Sequence, residues 1–223
     1  MTDAITAAEF TAGEGTGDWR VLRSSAVARF ATGSFTRGVR LVTRIGALAE
    51  AANHHPDVDL RYGSVTVRTW SHDVGALSAR DVALAREISM AARELDVAAD
   101  PARVSDVALC IDATAGPQVQ AFWQALLGHD AGPDPAGDAA AARLSDPDRR
   151  LPAVWFQQSD ERRDQRNRIH VDVWVPYDHA ERRVAAALAA GGRLVTDEFA
   201  PAWWVLADVE GNEACVSTWQ DQF

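Results

Sequence analysis

The sequence of 223 residues contains no lysine, so all 22 of its basic residues are arginines. This absence excludes a Walker phosphate-binding loop and a lysine Schiff base, because both need the amine of a lysine side chain. The 32 acidic residues give a net charge of −10 and an isoelectric point near 5.0. A nucleic-acid partner requires a concentrated basic surface, and we therefore expect none.

Cysteine is also scarce, with Cys110 and Cys215 as the only two. Two cysteines are too few for a disulfide framework and fit a reducing compartment. The N-terminus lacks a basic segment followed by an apolar run, and no apolar stretch approaches the length of a bilayer span. We expect a cytoplasmic protein without a membrane partner, in which 47% apolar residues supply the cores of one or two domains.

The first half, from residue 19 to residue 95, predicts the order strand, strand, helix, strand, strand, helix. The first strands are "WRVLRS" and "AVARFAT". The helix that follows ends near Asn53, because the residue before Pro56 is biased to an extended conformation. Its apolar row at helical spacing is formed by Phe35, Val39, Val42, Ile45, Ala49 and Ala52.

Residues 58–72, "VDLRYGSVTVRTWSH", predict a β-hairpin with its turn near Tyr62 and Gly63. Alternation along the second strand places His72 at the end of that strand, on the face away from the helices. The second helix of this half begins at Ser78 and Asp81, which have the spacing of a capping box.

The second half contains a weak internal repeat. The strand "DVALCID" at 106–112 returns as "HVDVWVP" at 170–176, and an amphipathic helix follows each copy. One helix runs from Pro117 to Gly128, and the other starts at the capping pair Asp178 and Glu181. We predict a duplicated β-α-β-β-β unit at residues 104–223, after a first domain at 1–97 and a linker at 98–103. Residues 129–150 are predicted to form a loop.

The histidines of the first half lie where acid/base chemistry is possible. His54 and His55 follow the predicted helix, where unpaired carbonyls favour a positively charged partner, and Glu50 lies one turn before His54. Histidine titrates near neutral pH, so neighbouring histidines can supply both a proton donor and a proton acceptor. Together with His72, they form a candidate acid/base centre.

Each of these residues also has a structural explanation. A histidine pair at a helix end is commonly a solvated cap, and Glu50 alone is explained as an exposed helix carboxylate. The capping box accounts for Asp81. The combination of residues, rather than any one of them, favours a functional site.

The spacing of this combination resembles the signature of the pterin-4a-carbinolamine dehydratases, and the similarity extends over roughly residues 5–95. The residues that carry it are Glu50, His54, His55, Pro56, Tyr62, His72 and Asp81. The resemblance implies an α+β fold in which a four-stranded antiparallel sheet carries helices on one face. It also implies that the chain forms a homo-oligomer, a dimer or a tetramer.

The resemblance further implies a hydro-lyase that acts on a small pterin. The reaction removes water from 4a-hydroxytetrahydrobiopterin and gives quinonoid dihydropterin, and it needs an acid and a base but no metal or organic cofactor. In this hypothesis His54 and His72 donate protons to hydroxyl groups that leave from opposite faces of the pterin. His55 binds the ring and accepts its proton, and Glu50 relays protons or orients His54. The substrate-binding candidates are Pro56, Asp57, Tyr62, Trp70, Ser71 and Asp81.

The second half resembles the glyoxalase-like branch of the vicinal oxygen chelate superfamily over roughly residues 104–220. The resemblance rests on "AFWQALLG", "RIHVDVWVP", "LAAGGRLV" and "WWVLADVEGNEACVSTW". It implies paired β-α-β-β-β modules. Many members hold a divalent metal with a histidine or glutamine on the first strand of each module and a glutamate on the last.

This chain departs from that metal pattern, because Cys215 stands where a glutamate is usual. A buried thiol, a half-buried histidine and a turn built on Gly211 and Asn212 explain the same residues without a metal. We therefore expect no divalent metal in the second domain. The weak candidates for ligands are His170, Cys215, Glu213, Gln157 and Asp106.

Two other functions stay open beside the dehydratase. The chain could be a non-catalytic protein that binds pterin or another aromatic metabolite, or its main chemistry could be a metal-dependent lyase or dioxygenase activity of the second domain. The tryptophan-rich second half suits a flat small molecule, whose identity the residues do not indicate.

Overall fold

The computed structural model describes residues 4–132, 143–160 and 169–221. The chain divides into two compact units, Met1–Asp106 and Val107–Phe223. Both units combine helices with sheets, as the predicted α+β class requires.

The first unit follows the predicted element order and adds a short helix before it. The chain runs through β1 (Ala4–Ile5), α1 (Ala7–Ala12), β2 (Arg20–Leu22), β3 (Ser25–Ala31), α2 (Phe35–Ala52), β4 (Asp57–Arg61), β5 (Ser64–Thr69), β6 (Leu77–Ser78), α3 (Ala79–Glu94) and β7 (Ala98–Ala99). Helix α1 was not predicted, although Thr6 and Glu9 form a complete capping box at its start. The spacing of Thr6 and Glu9 in the sequence could have indicated the start of this helix.

The main sheet of this unit has the order β2-β3-β5-β4, with every neighbouring pair antiparallel. Its core lies between the sheet and the helices α2 and α3. The fully buried side chains there include Phe30, Leu41, Ile45, Val65 and Ile88. The predicted four-stranded antiparallel sheet is confirmed, and β7 extends it by pairing with β3.

The apolar row of helix α2 is only partly buried: Ile45 and Ala49 are buried, and Val42 packs against the core. Phe35 and Val39 are 50% and 43% exposed, whereas Gly38 is buried. A Cβ at Gly38 would lie only 2.5 Å from Leu60 Cδ1. The missing side chain therefore lets the helix approach β4 through this face and leaves Phe35 and Val39 outside.

Residues 98–103, predicted to be a linker, lie within the first unit. Ala98 and Ala99 pair with Ala31 and Phe30, and a 3-10 turn follows at Pro101–Arg103. The hydrogen bonds to β3 hold this segment against the main sheet.

The second unit contains the predicted duplication. The first module is β8 (Ala108–Ala113), α4 (Gly116–Leu127), β9 (Asp130–Gly132), β10 (Arg143–Ser145) and β11 (Ala153–Gln158). The second is β12 (Val171–Trp174), α5 (Ala180–Ala189), β13 (Arg193–Thr196), β14 (Trp203–Ala207) and β15 (Glu213–Ser217). The two sheets have matching orders, β8-β11-β10-β9 and β12-β15-β14-β13, and in each the first strand is parallel to the last.

Two local predictions for this unit were wrong. The segment 129–150 contains β9 and β10, and its residues 133–142 lie outside the described part of the chain. Asp178 and Glu181 do not cap α5, because a 3-10 turn at Tyr177–His179 leads into the helix, and no side chain caps its first turn.

The "EGN" turn before β15 has a structural role. Asp208 is fully buried, and its carboxylate accepts hydrogen bonds from the backbone N–H groups of Glu210 and Asn212 and from Trp123 Nε1. Glu210 in turn accepts a hydrogen bond of 2.8 Å from the backbone N–H of Thr114, which lies just before the start of α4. A carboxylate at a helix N-terminus is favourable, and here it stands in for a capping side chain that Ala115 lacks.

Within the described ranges, no helix is both long enough and apolar enough to cross a lipid bilayer.

Candidate active site

His54 lies directly behind the end of helix α2 and points into the first unit. Asn53 takes the left-handed conformation, with φ of 46°, and ends the helix. The backbone N–H of His54 still donates to Ala49 O. The ring of His54 is therefore buried, with 6% of the residue exposed, whereas His55 next to it is exposed.

The buried carboxylate of Asp81 holds His54 in place. The distance from His54 Nε2 to Asp81 Oδ1 is 2.8 Å, and Thr69 Oγ1 donates to the same oxygen at 2.6 Å. The second oxygen, Oδ2, accepts from Ser71 Oγ and from the backbone N–H of Ser78, each at 2.8 Å. Asp81 thus completes the predicted capping box and also binds a histidine, which the sequence analysis did not predict.

The pKa of Asp81 lies below its usual range. Burial alone would raise this pKa. The hydrogen bonds from Thr69, His54, Ser71 and the Ser78 backbone lower the pKa by more than burial raises it. An ionised carboxylate can only accept hydrogen bonds, so Nε2 of His54 is the nitrogen that carries the proton.

Glu50 pairs with His55 and not with His54, which corrects the predicted pairing. Glu50 Oε1 lies 3.2 Å from His55 Nε2, and both side chains are more than half exposed. The left-handed turn at Asn53 explains the difference, because it takes His54 off the helical path that would put it on the same face as Glu50. An exposed pair of this kind is weak, at about 1 kcal/mol or less.

His72 lies in a turn beyond the hairpin, not at the end of a strand as predicted. Strand β5 ends at Thr69, and a bridge between Ser71 and Ala76 closes the turn. The exposed ring of His72 lies on the half-buried ring of Trp70, with 4.1 Å between the centroids.

An ion pair fixes this turn to the start of helix α3. The Arg80 guanidinium donates to the carboxylate of Asp73, and this hydrogen bond holds the pKa of Asp73 below its usual range. The turn that carries His72 is therefore anchored at Ser71 and at Asp73.

The remaining substrate-binding candidates divide into three groups. Pro56 and Asp57 lie next to His55, where β4 begins, together with Trp70 across the hairpin. Ser71 and Asp81 are fully buried, and their polar atoms bond to each other, so they support the site from behind. Tyr62 is 78% exposed in the turn at the opposite end of the hairpin. At about 3.3 Å per residue, the five residues of β4 separate Tyr62 from His55 by at least 15 Å or so.

The structure therefore brings the three histidines to one end of the hairpin. The register of β4 and β5, with Asp57 opposite Arg68, places the segment before β4 alongside the segment after β5. One histidine is buried and held by a carboxylate, and two are exposed. Such a set can hold a flat polar ring and move protons to and from it.

In the second unit, only part of the candidate metal set lies together. Within the described residues, His170, Asp172 and Cys215 have ligand atoms within 4.8 Å of one another. Glu213 begins β15 and does not belong to this group, and Gln157 lies on β11 of the first module. Asp106 lies near Arg23 and Arg68 of the first unit, at 3.7 and 3.9 Å.

Sequence reasoning missed Thr69 and Asp172. Thr69 carries no motif, and only its pairing position at the end of β5 places its hydroxyl between His54 and Asp81. Asp172 offered a signal, because alternation puts residues 170 and 172 on the same face of a strand.

We predict that Asp81→Asn lowers the stability of the first unit at neutral pH by about 2–3 kcal/mol, because an amide cannot accept all of these hydrogen bonds. A depressed carboxyl pKa stabilises the folded state above the unfolded pKa of about 3.9 and loses that effect as pH falls through the folded value. The difference between parent and variant should therefore shrink in acid. Urea unfolding from neutral to acidic pH measures it.

Asp57→Asn is the matched control, because Asp57 is exposed in the same unit. Equal stabilities of the parent and Asp81→Asn at neutral pH would show that the Asp81 network does not stabilise the fold.

Comparisons with known proteins agree with these two units. The sequence model of the family described as pterin 4 alpha carbinolamine dehydratase matches residues 3–91, and that of the family described as glyoxalase-like domain matches residues 108–217. A Chloroflexus aurantiacus protein with a provisional pterin-4-alpha-carbinolamine dehydratase name is 41% identical over 71 residues, which cover 32% of this chain and 76% of the relative. A Nocardia farcinica protein with the same name is 45% identical over 60 residues, or 27% of this chain and 63% of the relative.

Among solved structures, a transcriptional coactivator/pterin dehydratase from Brucella melitensis is 22% identical with a TM-score of 0.37, and the match covers 40% of this chain and 99% of that one. A glyoxalase/bleomycin resistance protein/dioxygenase family enzyme from Burkholderia phytofirmans is 18% identical with a TM-score of 0.42, covering 51% of this chain and 98% of that one. The family match and the identity to the Chloroflexus protein together identify the first unit, and the chain therefore belongs to the pterin-4a-carbinolamine dehydratase family and carries a glyoxalase-like domain in its second unit.

Proposed function

We propose that the chain is a hydro-lyase that removes water from a 4a-hydroxytetrahydropterin, such as 4a-hydroxytetrahydrobiopterin, to give the quinonoid dihydropterin. The observation that carries the proposal is the buried His54, which is hydrogen-bonded to an ionised carboxylate and lies at the same end of the hairpin as His55 and His72. The family membership of the first unit supports the same reaction.

The elimination requires two proton transfers. The bond from C4a to the hydroxyl oxygen breaks while a donor protonates that oxygen, and water leaves. A base removes the proton from the adjacent ring nitrogen, and its electron pair forms the new carbon–nitrogen double bond. General acids and bases of this kind contribute about 10²–10⁴-fold each to a rate.

His54 acts in this proposal as a proton donor. Asp81 accepts a hydrogen bond from Nε2–H and stabilises the positive imidazolium, which leaves Nδ1 to donate its proton to the substrate. Thr69 fixes the carboxylate from the other side, at 2.6 Å from Oδ1. Asp81 replaces Glu50 as the residue that orients His54.

His55 and His72 are the two exposed members of the site. Glu50 Oε1 lies 3.2 Å from His55 Nε2, where the carboxylate can accept a hydrogen bond from the ring. His72 is the second donor, presented to solvent on the turn that Asp73 and Arg80 fix. Trp70 supplies an aromatic surface beside it, against which a pterin ring can lie.

All the proton transfers of this reaction are assigned to side chains of the first unit. The proposal therefore includes no metal and no organic cofactor for the dehydratase.

We predict that His55→Ala and His72→Ala each slow dehydration by about 10²-fold or more, because each loses a proton-transfer group. Both residues are exposed, so the variants should keep their fold. His54→Gln removes the titrating ring with a smaller change in volume than alanine. The measurement is the rate at which a freshly generated 4a-hydroxytetrahydropterin converts to the quinonoid dihydropterin.

The control is His179→Ala, which removes an exposed histidine from the second unit. Undiminished turnover in both His55→Ala and His72→Ala would contradict the role of the exposed histidines. Tight pterin binding by a parent chain without turnover would favour the non-catalytic binding protein instead.

We also propose that copies of the chain associate through the exposed face of α2. Phe35 and Val39 lie one turn apart on this face and are 50% and 43% exposed. Adjoining apolar side chains that stay exposed, as this pair does within the described part of the chain, are commonly found at protein interfaces. Family resemblance favours a dimer or a tetramer.

We predict that Phe35→Glu combined with Val39→Glu converts the oligomer to a monomer, because charges would then be buried between copies. Light scattering of the purified chain measures the assembly state. Thr36→Glu combined with Ala47→Glu, at other exposed positions of α2, should leave it unchanged. A monomeric parent, or an oligomeric Phe35/Val39 variant, would refute this interface.

A further inference from the structure

The second unit contains a cluster of three different metal-binding groups that the proposed dehydratase does not use. His170 offers an imidazole nitrogen, Asp172 a carboxylate oxygen and Cys215 a sulfur, all within 4.8 Å of one another. His170 Nε2 and Asp172 Oδ1 are 3.3 Å apart.

Strand register explains why these side chains meet. Strands β12 and β15 are parallel, and Asp172 lies directly opposite Cys215. His170 stands two positions before Asp172 and therefore on the same face. The other face of both strands packs into the core through Val171, Val173 and their partners Ala214 and Val216. The three ligand atoms thus lie on the face opposite the core.

One ligand of the cluster is buried and the other two are accessible to solvent. Cys215 is 8% exposed, whereas the side chains of His170 and Asp172 are 55% and 51% exposed. Cys215 lies on the inner strand β15, which fixes the position of its thiol. His170 and Asp172 lie at the edge strand β12, and their exposed side chains can change rotamer to bind an ion. This arrangement allows entry from solvent, which a preformed metal site needs.

We propose that this face binds Zn²⁺ through His170 Nε2, Asp172 and the thiolate of Cys215. Zinc is bound in proteins by cysteine, histidine and aspartate, usually with four ligands in a tetrahedron. With bonds of about 2.0–2.3 Å, tetrahedral ligands are about 3.3–3.8 Å apart, which the pair His170 and Asp172 already satisfies. The fourth position is left to water or to a small ligand.

The composition of the cluster selects zinc over harder cations. A thiolate is a soft ligand that binds Zn²⁺ well, whereas Mg²⁺ and Mn²⁺ prefer sets made of oxygen. All three ligands come from the second module. The superfamily resemblance implies instead that each of the two modules contributes ligands. No metal was expected from the sequence, because Cys215 stands where a glutamate is usual and Asp172 was not among the candidate ligands.

The test uses the full chain after removal of metal with a chelator. Titration with Zn²⁺ should give one tightly bound ion per chain. Titration with Co²⁺ should give the visible bands of a tetrahedral ion and a thiolate-to-cobalt charge-transfer band. We predict that Cys215→Ser removes the charge-transfer band and that His170→Ala and Asp172→Asn each weaken zinc binding by about 100-fold or more.

The matched controls are Cys110→Ser, His179→Ala and Asp178→Asn, which should bind zinc as the parent does. His170 and Asp172 are half exposed, so their variants keep the proposal testable if Cys215→Ser fails to fold. Absence of stoichiometric zinc in the parent would overturn the proposal. Unchanged zinc affinity in both His170→Ala and Asp172→Asn would also overturn it, since the ion would then be held elsewhere.

Discussion

The buried carboxylate of Asp81 connects parts of the first unit that are far apart in the sequence. It caps helix α3 through Ser78, receives the hydroxyl of Thr69 at the end of β5, and fixes the ring of His54 behind helix α2. These bonds outweigh the effect of burial and keep the carboxyl ionised. The carboxylate that caps helix α3 is therefore also the one that fixes the ring of His54. Without Asp81, the helix ends and the hairpin would have no common anchor.

The site combines this rigid centre with two exposed groups. His54 is held on one side by a carboxylate and a hydroxyl, whereas the exposed His55 pairs with the exposed Glu50, and His72 lies on Trp70. A buried, fixed donor favours precise proton transfer, because little reorganisation is needed during the reaction. Exposed groups can meet the substrate as it enters. In the proposed mechanism the buried His54 and the exposed His72 are the proton donors, and the exposed His55 is the ring-binding base.

Much of this arrangement could be predicted from the sequence. Helical periodicity with Pro56 placed the histidine pair at a helix end, and the spacing to His72 and Asp81 indicated the family. The pairing of Glu50 could not be predicted, because it depends on the left-handed Asn53 that turns His54 inward. The exposure of Phe35 and Val39 was not predicted, because helical periodicity groups them with the buried Ile45 and Ala49. The close approach of Gly38 to Leu60 became visible only in the structure. Alternation could have placed Asp172 on the same face as His170, but its position opposite Cys215 appears only when β12 and β15 pair.

The central claim is that side chains of the first unit catalyse the elimination of water. The most direct measurement is a stopped-flow record of quinonoid dihydropterin formation from a freshly generated 4a-hydroxytetrahydropterin, with the intact chain after metal removal and with buffer alone. The account predicts that the metal-free chain accelerates the reaction well above the uncatalysed rate, because histidines carry every proton transfer. A rate equal to that in buffer would contradict it. So would an acceleration that the untreated chain shows and the metal-free chain has lost.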